Sequence, residues 1–325
     1  MLKKIAVALI IFFLCASCDM AQNAKDKVEV VTTLFPIYDF AKQIGKEKVN
    51  VSLLLPPGVE SHTFEPKPAD IIRISKADIF IYTGKYMEPW VTDMLNAVSN
   101  KNLIVVDTSR GINLIDHDEE SEYHEEGEHH EELAHHKGEH EHRHHHHGGK
   151  DPHIWLDLSQ AQAMVDTIAK ALAEKYPANS KYYLNNGREY NIKLADLDGR
   201  LKITLSTCKH RTIIYGGHFA FGYFARRYGL RHDSPYKGFS PNAEPTPKAI
   251  AELINKLKAS KMKYLYYEEL LSPKVARTIA SETGVKLALL HGGHNISQDE
   301  LNRGVTFIDI MEDNLKRLKV GLECQ

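Results

Sequence analysis

The sequence lacks an excess of either charge. Its 325 residues carry 41 Lys and Arg against 43 Asp and Glu, so no global field directs it to nucleic acid or to an anionic membrane. It lacks a long apolar span: the run from Ile5 to Leu14 falls short of the ~20 residues a bilayer crossing needs. Outside the His-rich tract it has no His-Glu-x-x-His segment, the helical zinc site of many metalloproteases. Cysteine is scarce, with four in all, and two of them, Cys15 and Cys18, lie close to the N-terminus. What it has in quantity is histidine, 19 residues unevenly spread.

The N-terminus is a targeting segment. Met1-Leu2-Lys3-Lys4 is basic, the short apolar run follows, and Ala16 and Ser17 precede Cys18. This reads as a lipoprotein signal over residues 1–18, with Cys18 acylated and anchoring the chain to the membrane. Cys15 stands where Leu is usual, and ordinary cleavage near Ala21 or Ala24 is the alternative. Either reading puts the mature chain outside the cytoplasm, periplasmic or at the cell surface. There an oxidising environment permits a Cys208–Cys324 disulfide, and two unpaired thiols are the other possibility.

From Asp26 onward, strand and helix signals alternate. Strands are predicted at 28–34, 49–55, 78–82 and 103–106, with helices at 37–44, 69–76 and 90–98 between them. Residues 116–150 hold twelve histidines, about as many acidic residues and almost nothing apolar, so they are read as a disordered insertion. Helices at 158–174 and after Pro177 follow. The second carries Tyr190, Leu194, Leu197, Leu201 and Leu205 on one face. At about 25 residues it would reach some 38 Å. Alternation then resumes, with strands at 212–215, 264–267 and 285–290 and helices at 219–228, 247–259, 274–283 and 301–319. The expected architecture is α/β: two lobes, each a mostly parallel sheet flanked by helices, joined by one long rigid helix. An N-terminal lobe over 27–157 contains the 116–150 insertion, a helical linker covers 158–206, and a C-terminal lobe covers 207–325. A rigid joint predicts limited hinge motion.

Seven histidines lie outside the insertion: His62, His153, His210, His218, His232, His291 and His294. His62, His218 and His291 follow predicted strands, and open α/β sheets bind ligands beyond the carboxyl ends of their strands. His153 sits where the insertion re-enters the fold. Four neutral imidazoles from two lobes could form a closed tetrahedral zinc shell, and nitrogen donors favour zinc over manganese. By spacing alone, a lone histidine after a strand is more often a hydrogen-bonded loop residue than a ligand.

Several segments resemble the zinc/manganese solute-binding proteins of bacterial ABC importers across roughly residues 28–322. They are Val31-Thr32-Thr33-Leu34-Phe35-Pro36, Pro57-Gly58-Val59-Glu60-Ser61-His62-Thr63-Phe64-Glu65-Pro66, the His-rich acidic loop, Asp151-Pro152-His153-Ile154-Trp155-Leu156-Asp157, Gly217-His218-Phe219-Ala220-Phe221 and Ala243-Glu244-Pro245. The resemblance implies a non-enzymatic zinc carrier that binds the ion between its lobes, closes the His291 loop over it and docks on a membrane permease. It implies His62, His153 and His218 as metal ligands. The family's fourth position is usually an Asp opening a late loop, whereas this chain reads Leu290-His291-Gly292-Gly293-His294-Asn295. His291 takes the expected place, with His294 close enough to compete and water a third option. Glu60 and Glu244 are candidates for orienting the ligand rings. A monomer is expected.

The insertion is expected to act as an accessory metal trap, the alternative being a solvated spacer. Competing functions are a manganese or iron carrier of the same fold, a zinc-dependent exported hydrolase using Glu60 or Glu244 as base, and a surface adhesin.

Overall fold

The computed structural model describes residues 27–116, 149–236, 244–270 and 272–325. The signal segment with Cys18, most of the His-rich insertion and Ala243 lie outside these residues. Among the described residues no helix is long and apolar enough to cross a membrane.

The first lobe is built on four parallel strands: β1 (Val28–Thr32), β2 (Val49–Leu53), β3 (Ile79–Tyr82) and β4 (Ile104–Asp107), in the order β2-β1-β3-β4. Helices α1 (Phe35–Gly45), α2 (Pro68–Lys76) and α3 (Val91–Asn96) connect them. Both α1 and α2 carry proline in their first turn, where its fixed φ suits the helix and its missing N–H costs no hydrogen bond. A small core of Val31, Leu54, Ile74, Phe80, Val91 and Met94 covers one face of this sheet.

Two antiparallel neighbours follow, α4 (Leu158–Lys175) and α5 (Ser180–Ser206). Asp157 caps α4 by accepting the Ser159 N–H at 2.7 Å. The pair packs closely at Gly187, where an added Cβ would lie 2.9 Å from Ala169 Cβ. The 27 residues of α5 span about 40 Å. The predicted stripe Tyr190, Leu194, Leu197, Leu201 and Leu205 is buried throughout. Spacing of three and four residues put these side chains on one face, and that face packs into the core.

The second lobe contains β5 (Thr212–Ile214), α6 (Gly222–Tyr228), β6 (Arg231–Asp233), α7 (Pro247–Ser260), β7 (Tyr264–Tyr267), α8 (Lys274–Thr283), β8 (Lys286–Leu289), α9 (Gln298–Arg303) and α10 (Phe307–Gly321). Its strands form two parallel pairs, β5-β6 and β7-β8, joined by a parallel bridge between Tyr215 and Tyr266. The polar strand β6 escapes sequence reading. The helix predicted over 301–319 is two helices. Gly304, at φ 70°, ends α9, and Thr306 with Asp309 forms a capping box that starts α10.

The main core runs without a break from Phe40 and Ile168 through Leu194 and Leu201 to Phe224 and Phe307, so both lobes share it. Buried polar contacts reinforce the joint. The Asp39 carboxylate accepts from Tyr190 Oη at 2.9 Å, from the Phe307 N–H at 3.0 Å and from Gln43 Nε2 at 3.0 Å, tying α1 to α5 and α10. Arg227 on α6 donates to both oxygens of Asp198 on α5, at 2.6 and 2.7 Å. Burial would raise the Asp198 carboxyl, but the bonds from Arg227, Lys202 and Tyr228 outweigh it and hold it at about 2.

Cys208 and Cys324 form a disulfide across 116 residues of sequence. The backbone beside it is also paired, with the His210 N–H donating to Leu322 O at 3.1 Å. A loop of this length restricts the unfolded chain strongly. The double substitution Cys208→Ser with Cys324→Ser is expected to lower unfolding stability by about 3–5 kcal/mol, read from urea denaturation. An unchanged midpoint would show that the bridge does not limit unfolding.

Candidate metal centre

Three carboxyl ends of strands face one another where the lobes meet. The loop after β2 carries His62, the segment after β5 carries His218, and the loop after β8 carries His291 and His294. His153 comes from a separate segment, at the start of a 3-10 turn over Ile154–Leu156. One donor atom from each of His62, His153, His218 and His294 lies within 4.8 Å of the other three. All six pairs of ring centroids are 4.9–5.7 Å apart. His153, His218 and His294 are buried, and His62 is partly exposed at the rim.

Three rings are held from behind by carboxylates. His153 Nδ1 donates to Asp151 Oδ1 at 2.7 Å, and His218 Nδ1 donates to Glu268 Oε2 in a short contact. His294 Nδ1 donates to Glu269 Oε1 at 3.2 Å. A carboxylate only accepts, so each ring carries a proton on Nδ1 and turns Nε2 inward, the nitrogen left to meet a metal. The Nε2 atoms of His218 and His294 are buried with no hydrogen-bond partner, and His153 Nε2 lies 3.3 Å from His62 Nε2. Burial, then the neighbouring His294 and His218 rings, push His62 down to about 2. Burial followed by the other three rings holds His153 well below the usual imidazole range. Both rings are therefore neutral at ordinary pH, the form that ligates metal.

Close backbone approach makes this packing possible. A Cβ on Gly217 would meet Glu268 Oε1 at 2.5 Å, and one on Gly292 would meet the His294 ring at 2.6 Å. Trp155 Nε1 donates to Gly292 O at 2.8 Å and fixes the late loop against the 3-10 turn.

At the fourth position the geometry gathers His294, the alternative held open in the sequence, rather than His291. His291 is not in the cluster; His294 is. Asn314 of α10 grips the His291 backbone on both sides, accepting its N–H at 2.9 Å and donating to its carbonyl at 2.8 Å. The His291 Nδ1 accepts the Gly293 N–H at 3.0 Å, and its Nε2 lies 4.0 Å from Glu300 on α9. Gly293, at φ 72°, then turns the chain so that the next side chain, His294, enters the cluster.

The proposed ring-orienting acids also differ. Glu60 accepts the N–H groups of His62 and Thr63, at 2.8 and 2.9 Å, and so shapes its own loop. Glu244 is exposed and lines a cavity beside Glu268 without reaching a clustered ring. Asp151, Glu268 and Glu269 do that work, and sequence reading passed over all three. Glu268 and Glu269 directly follow β7, at the same strand ends that drew attention to the histidines. Outside the cluster, His232 stacks on Phe219 at 3.7 Å between centroids, and His210 lies 3.9 Å from Glu323.

A family model described as zinc-uptake complex component A, periplasmic, matches residues 30–321. The chain is 39% identical to the high-affinity zinc uptake system protein ZnuA of Bacillus subtilis over 317 residues, covering 96% of this chain and 94% of that one. It is 34% identical over 323 residues to the zinc-binding lipoprotein AdcA of Streptococcus pneumoniae, covering 98% of this chain but 61% of that longer protein. Its fold is similar to the crystal structure of the Zn(II)-bound ZnuA-like domain of Streptococcus pneumoniae AdcA, with TM-score 0.73, 31% identity and coverage of 91% of this chain and 99% of that one. A continuous match over nearly the whole length, to a relative 39% identical, places this chain in the ZnuA family of periplasmic zinc-uptake components.

Proposed function

We propose that this chain captures zinc outside the cytoplasm with His62, His153, His218 and His294, and delivers it to the permease of an ABC-type importer without turning over a substrate. One observation carries the reading: four imidazoles converge in a mostly buried space, three with a carboxylate behind the ring. Zinc–nitrogen bonds of 2.0–2.1 Å in a tetrahedron imply nitrogens about 3.3 Å apart. The His62–His153 pair already lies at 3.3 Å. The wider separations, up to 4.8 Å, close by about 1–1.5 Å around an ion of that bond length.

Four protein nitrogens fill a tetrahedral shell and leave no position for a reacting water, which suits carriage rather than hydrolysis. An all-nitrogen shell also disfavours manganese, which prefers oxygen. Acylation at Cys18 would hold a monomer at the membrane, where a permease can reach it. The relatives named for zinc uptake and zinc binding support the same cargo.

A variant lacking residues 117–148 separates the cleft from the insertion. Its ends are set for joining, because Asp116 and Lys150 are bridged and Asp151 N–H donates to Ile115 O at 3.0 Å. Chelator competition on this variant should find one tight zinc. His294→Ala should weaken it at least a hundredfold, and His291→Ala less than tenfold. The reverse ranking would put His291 in the shell, and the absence of any tight site would sink the cleft reading.

The supporting carboxylates give a second expectation. Asp151→Asn and Glu268→Gln should each lower zinc affinity about 10- to 100-fold while leaving the fold intact by circular dichroism. Unchanged affinity in both would show that the rings hold their orientation without these acids.

A further inference from the structure

The loops that carry His62 and His294 are tied to each other across the lobe boundary. Asn295 follows His294 and is fully buried. Its Nδ2 donates to Pro56 O at 2.7 Å and to Val59 O at 2.9 Å, both in the loop that carries His62. Its Oδ1 accepts the Ile296 N–H at 2.9 Å, which fixes the amide's direction. Two backbone bonds flank it: the Gly58 N–H donates to Ile296 O at 2.8 Å, and the Phe35 N–H donates to His294 O at 3.2 Å. Two of the four clustered rings are thus mounted on loops that one side chain holds together.

We infer that Asn295 is a positioning residue that makes the His62 and His294 loops open as one, and so sets the rate at which the ion leaves. This rests on the zinc reading above. His153, His218 and His294 are buried, so the partly exposed His62 side is the natural exit. Lifting the 56–62 loop breaks both Asn295 donor bonds. A buried amide left without partners is costly, so the loop resists opening alone. When it does move, Asn295 carries the strain to the adjacent His294, and two ligands leave together. An ion then held by two imidazoles is far more open to a permease or a chelator than one that has lost a single ligand.

The Asn295→Asp exchange tests the donors specifically. It keeps size and the acceptor for Ile296 but turns an oxygen toward two carbonyls. Asn295→Ala removes both functions. The full chain loaded with zinc is mixed with excess chelator in a stopped-flow instrument, and the slowest release phase is followed. Both variants should release zinc at least tenfold faster than wild type, with the association rate changed less than threefold. The absorption spectrum of bound Co(II) should stay that of the wild type, because the same four nitrogens bind. Ile74→Ala, in the small core behind the first sheet, controls for general destabilisation and should leave release unchanged. Wild-type release rates in both Asn295 variants would overturn the inference while leaving the zinc reading standing. So would acceleration in Ile74→Ala equal to theirs. A wild-type chain with no slow zinc phase would overturn the zinc reading, and this inference with it.

Discussion

Four imidazoles can share a small buried space only if each is neutral and turns a lone pair, not a proton, toward the centre. The rest of the site follows from that constraint. A ring proton must go somewhere, and at three of the four rings it goes to a carboxylate on the far side: Asp151, Glu268 and Glu269. Each acid in turn is fixed by backbone. Asp151 accepts the His153 N–H, and Glu269 accepts the Gly292 N–H at 2.7 Å. Gly217 and Gly292 carry no side chain because the acid and the ring would collide with one.

The same acids answer a second difficulty. A divalent ion held only by neutral nitrogens in a buried place keeps its full charge, and removing such a charge from water is expensive. Carboxylates one ring removed supply negative charge without supplying oxygen ligands. The site can therefore be electrically compensated and still all-nitrogen at first contact, which favours zinc over harder, oxygen-preferring ions. A carboxylate at the fourth position would compensate charge as well, but would soften that preference. In the cluster His294 stands beside the other three rings, and a carboxylate, Glu269, lies one step behind it.

Much of the fold was legible because local chemistry and tertiary structure agree. Prolines mark the starts of α2 and α7, apolar periodicity marks α5, and short apolar runs mark β1, β3 and β7. The errors fall where a local signal was weak or was overruled. Residues 219–221 look helical, yet Phe219 and Phe221 are buried beside Tyr215 and the helix begins only at Gly222. Within the cluster, strand-end position pointed to His62 and His218, and the Asp-Pro-His segment to His153. Nothing local separates His291 from His294. The choice is made by Asn314, which is twenty-three residues away and reads as an ordinary polar position on an amphipathic helix. Contacts of that sequence separation leave no mark on a single sequence.

How such a molecule opens depends on what its joint allows. Lobes connected by extended strands can swing as separate bodies, because little packing is lost at the hinge. Here the joint is one core shared by both lobes, with Asp39 buried among α1, α5 and α10 and Arg227 paired to Asp198 across α5 and α6. A wide swing would tear that core and strand a buried carboxylate, each a cost of several kcal/mol. The contacts that hold the ligand-bearing loops are local hydrogen bonds: two from Asn295, one each from Gly58, Phe35 and Trp155, and those of Glu269 and Asn314 to the late loop. The cheapest motion that exposes the rings is therefore displacement of the two ligand-bearing loops against a nearly fixed frame. A partner that engaged the 56–62 loop would need to supply the energy of those hydrogen bonds and of the metal–nitrogen contacts they protect, not that of the shared core.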